Sequence, residues 1–237
     1  MSRLTRASEE SAVQDWRVLD NPAAVAAEAV TCLLAAAHEA IAARGRFRLV
    51  LAGGRTPELA YRLLAEREAD WANWELYLGD ERCLPVDHAE RNQRMVEQAW
   101  LSRLSGDLPQ VHFIAAELGP VAGAARYAPL IETVVPFDLV LLGIGEDGHT
   151  ASLFPGQPLD TEAWVVPVLG APKPPPERVS LGLRALRSAR RLLVLATGTD
   201  KRVALERWRA GEELPIARVC RGLSVSVLLD RAADPSP

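Results

Sequence analysis

The chain has 237 residues, 49% of them hydrophobic, enough to bury the core of one large or two small domains. Its net charge of −4 at pH 7 offers no basic surface for nucleic acid. Three widely separated cysteines, Cys32, Cys83 and Cys220, show neither disulfide pairing nor metal-ligand spacing, which fits a reduced, cytoplasmic protein without a metal site.

Acidic residues Glu9, Glu10 and Asp15 and the lack of an apolar core argue against a signal peptide, and residues 1–14 read as a loose N-terminus. Residues 16–19 suit an opening strand. Asn21 as N-cap and Pro22 at the first helical position then start a helix that Gly45 closes after Arg44. Its Ala-rich stretch, residues 23–43, carries Glu28, His38 and Glu39, so a soluble helix is expected rather than a membrane span. Residues 47–52 form the next strand. Thr56 is expected as the N-cap of a helix with Pro57 in its first turn and Leu59, Leu63 and Leu64 along its apolar stripe.

Residues 74–78 give a third strand ending in Gly79-Asp80-Glu81-Arg82. A helix is expected over 91–104, a strand over 111–114, a helix over 121–134 and a buried strand over 137–142. Beyond Pro155 come strands at 164–168 and 178–181, a Pro-rich loop at 172–176 and a short helix at 183–189. A strand at 192–196, a helix to Arg209 and a last strand at 223–229 follow, with a loose tail over 233–237. Strands alternate with helices, and no linker or repeat divides the chain. The expectation is one α/β domain over residues 15–232: a largely parallel open sheet, Rossmann-like, with helices on both faces.

Chemistry-bearing residues gather directly after predicted strands, where open α/β sheets hold ligands. After residues 137–142 comes Gly143-Ile144-Gly145-Glu146-Asp147-Gly148-His149-Thr150-Ala151-Ser152. The glycine spacing matches the dinucleotide fingerprint literally, but Glu146 and Asp147 would repel a pyrophosphate and Pro155 cuts short any following helix. His149 is the histidine placed to act as a general base; His38 and His112 read as structural and His88 as solvated. Either Asp147 or Asp80 could orient it.

The turn Gly53-Gly54-Arg55-Thr56-Pro57 has the makeup of an anion site at a helix N-terminus. Arg82 lies at another strand end. Lysine is rare, with only Lys173 and Lys201 among 27 basic residues, and Lys201 follows Thr197-Gly198-Thr199 at a further helix start. One base, two acids and three cations along one sheet edge point to acid–base chemistry on a small phosphorylated molecule.

The run from Leu142 to Pro155 closely resembles the signature of the 6-phosphogluconolactonases. Ala52-Gly53-Gly54-Arg55-Thr56-Pro57, Gly79-Asp80-Glu81-Arg82 with Pro85 and Asn92, residues 175–181, and Thr197-Gly198 with Lys201 resemble that family's other blocks in order. The resemblance implies a fold related to the glucosamine-6-phosphate isomerases, no metal or cofactor, and hydrolysis of a sugar-phosphate lactone. Glucose-6-phosphate dehydrogenase would supply the substrate, with neither nucleic acid nor membrane as partner. The site it implies comprises His149, Asp147 and Asp80, with Gly53, Gly54, Arg55, Thr56, Arg82, Gly148, Ser152 and Lys201 binding substrate. Arg55 departs from the family, which commonly has Ser in that turn. The rival isomerases resemble Gly-His-x-x-Phe-Asn-Glu-Pro, where Glu assists ring opening; Phe154 occupies that position here and cannot relay a proton. A non-catalytic sugar-phosphate sensor on the same fold is the other alternative.

Overall fold

The structure, a computed structural model, describes residues 14–159 and 162–236; residues 1–13 and 237, expected to be loose, lie outside this range. Its centre is a seven-stranded parallel sheet. The strands are β1 (Gln14–Leu19), β2 (Phe47–Leu51), β3 (Trp74–Leu78), β5 (Gln110–His112), β6 (Leu139–Gly143), β9 (Leu192–Ala196) and β10 (Val225–Asp230). Their spatial order is β1-β10-β9-β6-β2-β3-β5. The central strands are almost wholly apolar because both faces are covered, so they read as continuous hydrophobic runs rather than alternating ones.

The helices are α1 (Pro22–Arg44), α2 (Arg55–Leu64), α3 (Asn92–Ala99), α4 (Pro120–Val134), α5 (Leu183–Arg187), α6 (Arg202–Arg209) and α7 (Pro215–Cys220). Right-handed crossovers place α1, α2 and α3 on one face and α4 to α7 on the other. In α1, Asn21 accepts a hydrogen bond from Ala24 N and Gly45 closes the helix at φ 74°, as the sequence predicts. This helix is long and apolar enough to cross a bilayer, yet Val25, Ala29, Leu33, Ala36 and Ala40 are buried within the protein core.

From β2 the chain proceeds outward to β3 and β5, and from β6 it proceeds the other way to β9 and β10. The neighbours β2 and β6, in register at Leu49–Leu139 and Val50–Val140, therefore flank the point where the winding reverses. A crevice opens there above the carboxyl ends of the strands. Tyr61 fixes its β2 side: its hydroxyl donates to Ala52 O at 2.9 Å and accepts from Ala52 N at 3.0 Å, tying α2 to the end of the strand.

Several elements differ from expectation. A second sheet, β4 (Asp80–Arg82), β8 (Arg178–Leu181) and β7 (Val165–Val168), is antiparallel and was not foreseen. Three polar residues carry no alternation to mark β4 as a strand. The N-cap of α2 is Gly54, and Thr56 lies inside the helix; the buried stripe is Pro57, Ala60, Tyr61 and Leu64, while Leu59 is exposed. Helix α3 stops at Ala99, where the non-helical Trp100 (φ −133°, ψ −67°) precedes a single 3-10 turn. Helix α7 is too short to show a period. At the tail, Ala233 is buried, and it and Asp234 donate to Asp230, so residues 233–236 fold back on β10.

Candidate active site

The loop after β6 is shaped by its glycines. Gly145 N donates to His149 O at 2.8 Å, and Thr150 Oγ1 donates to Gly143 O at 2.9 Å, closing the loop over the strand end. The His149 ring rests on Gly145, where a Cβ would stand 2.0 Å from Nδ1; no other residue fits beneath the imidazole. Gly148 has φ 87° and packs against Leu214. No helix follows within residues 144–152, so the literal dinucleotide spacing has none of the geometry such a site needs.

His149 Nδ1 lies 2.5 Å from Asp147 Oδ1, and the same oxygen accepts from His149 N at 3.1 Å. Asp147 is thus the carboxylate that orients the ring. Asp80, the other candidate, makes no hydrogen bond to His149 and influences it only through its charge. Burial pushes the His149 pKa down further than Asp147 raises it, so the ring is neutral at neutral pH. Burial raises the Asp147 carboxyl, but the bonds and charge from His149 outweigh this and leave it below the usual carboxylate range. With Nδ1–H donating to a carboxylate, Nε2 is left with a lone pair. Phe154 is buried against this ring, centroids 4.6 Å apart.

Below the loop lies a closed polar floor. Ser152 Oγ donates to Asp80 Oδ2 at 2.5 Å, and Asn92 Nδ2 donates to Asp80 O at 2.9 Å and Oδ1 at 3.1 Å. Ser152 N donates to Ser180 Oγ at 3.2 Å. Arg178 Nη1 lies 3.5 Å from Ser152 Oγ, and its guanidinium stands 5.6 Å from the Phe154 centroid. All five polar residues are buried. A Cβ on Gly53 would lie 2.2 Å from Asn92 Oδ1, so this glycine lets the floor meet the end of β2.

The third part of the site is the start of α2. Its N-cap, Gly54, has φ 106° and no side chain to bond the first helical N–H groups, which leaves them for an anion. Thr56 Oγ1 lies 2.6 Å from Thr197 Oγ1 and joins the β2 and β9 loops. Lys201 pairs with Asp200 at 2.9 Å, and Arg55 is exposed close enough to act on Asp200 by charge. Arg82 donates through Nη1 to Glu90 O, while its buried Nε has no partner among the described residues. No group of three His, Cys, Asp or Glu side chains suited to a metal occurs among the described residues.

Sequence reasoning missed Arg178 and Lys173. An arginine opening a short strand, two residues after a proline run, was the available signal for Arg178. A separate depression of about 280 Å³ lies at the amino ends of the strands, lined by Arg44, Asp138, Arg190 and Arg191. Asp138 there is already paired with arginines, and His149, Asp147 and Asp80 are at the opposite edge, after the carboxyl ends of the strands.

The chain is 42% identical to a 6-phosphogluconolactonase of Streptomyces coelicolor, with 82% of this chain and 84% of that one aligned. It is 38% identical to a human 6-phosphogluconolactonase over 83% of this chain and 80% of the other. Among solved structures, a 6-phosphogluconolactonase of Thermotoga maritima superposes with a TM-score of 0.83 at 28% identity, covering 92% of this chain and 99% of that one. One from Trypanosoma brucei gives 0.84 at 26% identity, covering 94% and 98%. With residues 20–227 matched by it, the chain belongs to the glucosamine-6-phosphate isomerases/6-phosphogluconolactonase family.

Proposed function

We propose that this chain hydrolyses 6-phospho-D-glucono-1,5-lactone to 6-phospho-D-gluconate in the cytoplasm, as a step of the oxidative pentose phosphate pathway. A dehydrogenase acting on glucose 6-phosphate would supply the lactone. The observation that carries this reading is the His149–Asp147 pair beside Phe154. It provides a neutral, oriented base, with an apolar ring where a ring-opening acid would have to stand.

In the proposed reaction His149 Nε2 takes a proton from water, and the water oxygen attacks C1 of the lactone. Asp147 holds the imidazolium that forms. Backbone N–H groups of the glycine-rich turns stabilise the oxyanion. The tetrahedral intermediate then collapses, the bond from C1 to the ring oxygen breaks, and His149 returns its proton to that oxygen. The free N–H groups at the start of α2, with Lys201, Arg82 and Thr56, hold the phosphate. Lactones of this kind open unaided at an appreciable rate, so general base catalysis of about 10²–10⁴-fold together with positioning is sufficient.

The test is a paired assay of the purified protein on fresh 6-phosphogluconolactone and on glucosamine 6-phosphate. Acid release above the spontaneous rate from the first, with no ammonia from the second, is the expected result. Ammonia release without accelerated acid release would replace the lactonase with a deaminating isomerase.

A further inference from the structure

Both lysines of this arginine-rich chain stand at the candidate site, each against an acid. Lys173 Nζ lies 2.8 Å from Glu146 Oε1, and Lys201 Nζ lies 2.9 Å from Asp200 Oδ2. Glu146 sits in the catalytic loop, one residue before Asp147. Its carboxyl is held below the usual range by the hydrogen bond and charge of Lys173, with a further contribution from Lys201. One exposed acid therefore lies in the field of both ammonium groups.

Lys173 is not on a free loop. The strap over residues 171–177 has four prolines, which fix φ along it. Arg178, buried beneath, donates to Lys173 O at 3.1 Å, Pro174 O at 3.2 Å and Pro175 O at 3.1 Å. Ala171 N to Pro176 O at 2.9 Å and Cys83 N to Glu177 O at 3.0 Å close its two ends. The backbone is pinned, the side chain is 42% exposed, and the Lys173 charge reaches His149. An exposed pair such as Lys173–Glu146 favours its closed form only about two- to fivefold. A phosphate, with more charge and three acceptor oxygens, can displace the carboxylate.

We propose that Glu146 is a stand-in anion that holds Lys173 until a ligand binds and then yields it to the phosphate of that ligand, making the pair a filter for anionic substrates. The ligand class rests on the sugar-phosphate reading above. A simple latch holding the strap would be strengthened by both partners alike, whereas a stand-in competes with the ligand. The two roles therefore give opposite signs when Glu146 is neutralised.

Calorimetric titration with inorganic phosphate and with 6-phosphogluconate separates them, using wild type, Glu146→Gln, Lys173→Gln and the double variant. Glu146→Gln is expected to bind both anions about two- to fivefold more tightly. Lys173→Gln is expected to weaken both by about tenfold, and Glu146→Gln is expected to have no effect in the Lys173→Gln background. The proposal is overturned if Glu146→Gln weakens binding or leaves it unchanged, or if wild type binds neither anion. Neither titration depends on lactone turnover: a wrong sign for Glu146→Gln sinks the stand-in role alone, whereas a wild type that binds neither anion sinks the sugar-phosphate reading with it.

Discussion

His149 Nδ1 and Asp147 Oδ1 lie 2.5 Å apart, two residues apart in sequence, in a loop that only Gly145 allows to close beneath the ring. Their pairing sets a pH dependence with a definite sign. Burial holds the His149 pKa below its ordinary value, and Asp147 opposes that shift. The base form is therefore present at neutral pH, and kcat/KM should fall only as pH drops below the ordinary imidazole range. Asp147→Asn removes the opposing charge, so this acid limb should move to still lower pH while kcat falls. A limb that stays in place, or moves up, would show that Asp147 does not act on the titrating group.

Phosphate lies far from the reacting carbon, and its charge changes little during hydrolysis. Contacts to it should stabilise ground and transition states almost equally and act mainly on KM. Lys201→Ala and Arg82→Ala should each raise KM by about one to two decades, the worth of a lost charge-assisted contact of roughly 1.5–3 kcal/mol, with a smaller effect on kcat. Added salt should raise the wild-type KM too. Plain gluconolactone is the control: it should be a poor substrate that neither substitution worsens much. Equal losses on both lactones would move these cations to the reacting carbonyl.

The contact between Gly53 and the floor can be tested for coupling. Gly53→Ala puts a methyl 2.2 Å from Asn92 Oδ1 and must displace the side chain that donates to Asp80. Overpacking of this kind costs about 1–3 kcal/mol, and kcat/KM should fall with it. In an Asn92→Ala background the same substitution should cost far less, because the clash is gone. Chemical denaturation and steady-state kinetics on the four proteins measure this; strictly additive losses would mean that Gly53 and Asn92 do not meet.

Much of this was legible in the residues, for physical reasons. Asn21, Pro22 and Gly45 mark both ends of α1 because caps depend on local chemistry alone. The apolar runs of β2, β6 and β9 mark buried parallel strands, and the loops after them carry the site. Other features depend on contacts distant in sequence. The strand β4 exists only because Asp80 pairs with Ser180, a hundred residues away. Arg178 becomes part of the floor only when β8 brings it under Ser152. The choice of Asp147 over Asp80 as orienting acid needed the loop's geometry, since both follow strand ends.

Metal removal gives an independent check of the mechanism. Water activation is assigned here to His149, and no step requires a Lewis acid. Activity should survive exhaustive chelation with EDTA. Loss of activity that one specific divalent ion restores would transfer the activation of water from His149 to a metal.

The most direct measurement is acid release from fresh 6-phosphogluconolactone by wild type and by folded His149→Ala, each corrected for spontaneous opening. Clear acceleration is expected from wild type and a kcat lower by roughly two to four orders of magnitude from the variant, with unchanged circular dichroism. A folded His149→Ala protein that keeps near wild-type turnover, or a wild type that does not exceed the spontaneous rate, would contradict this.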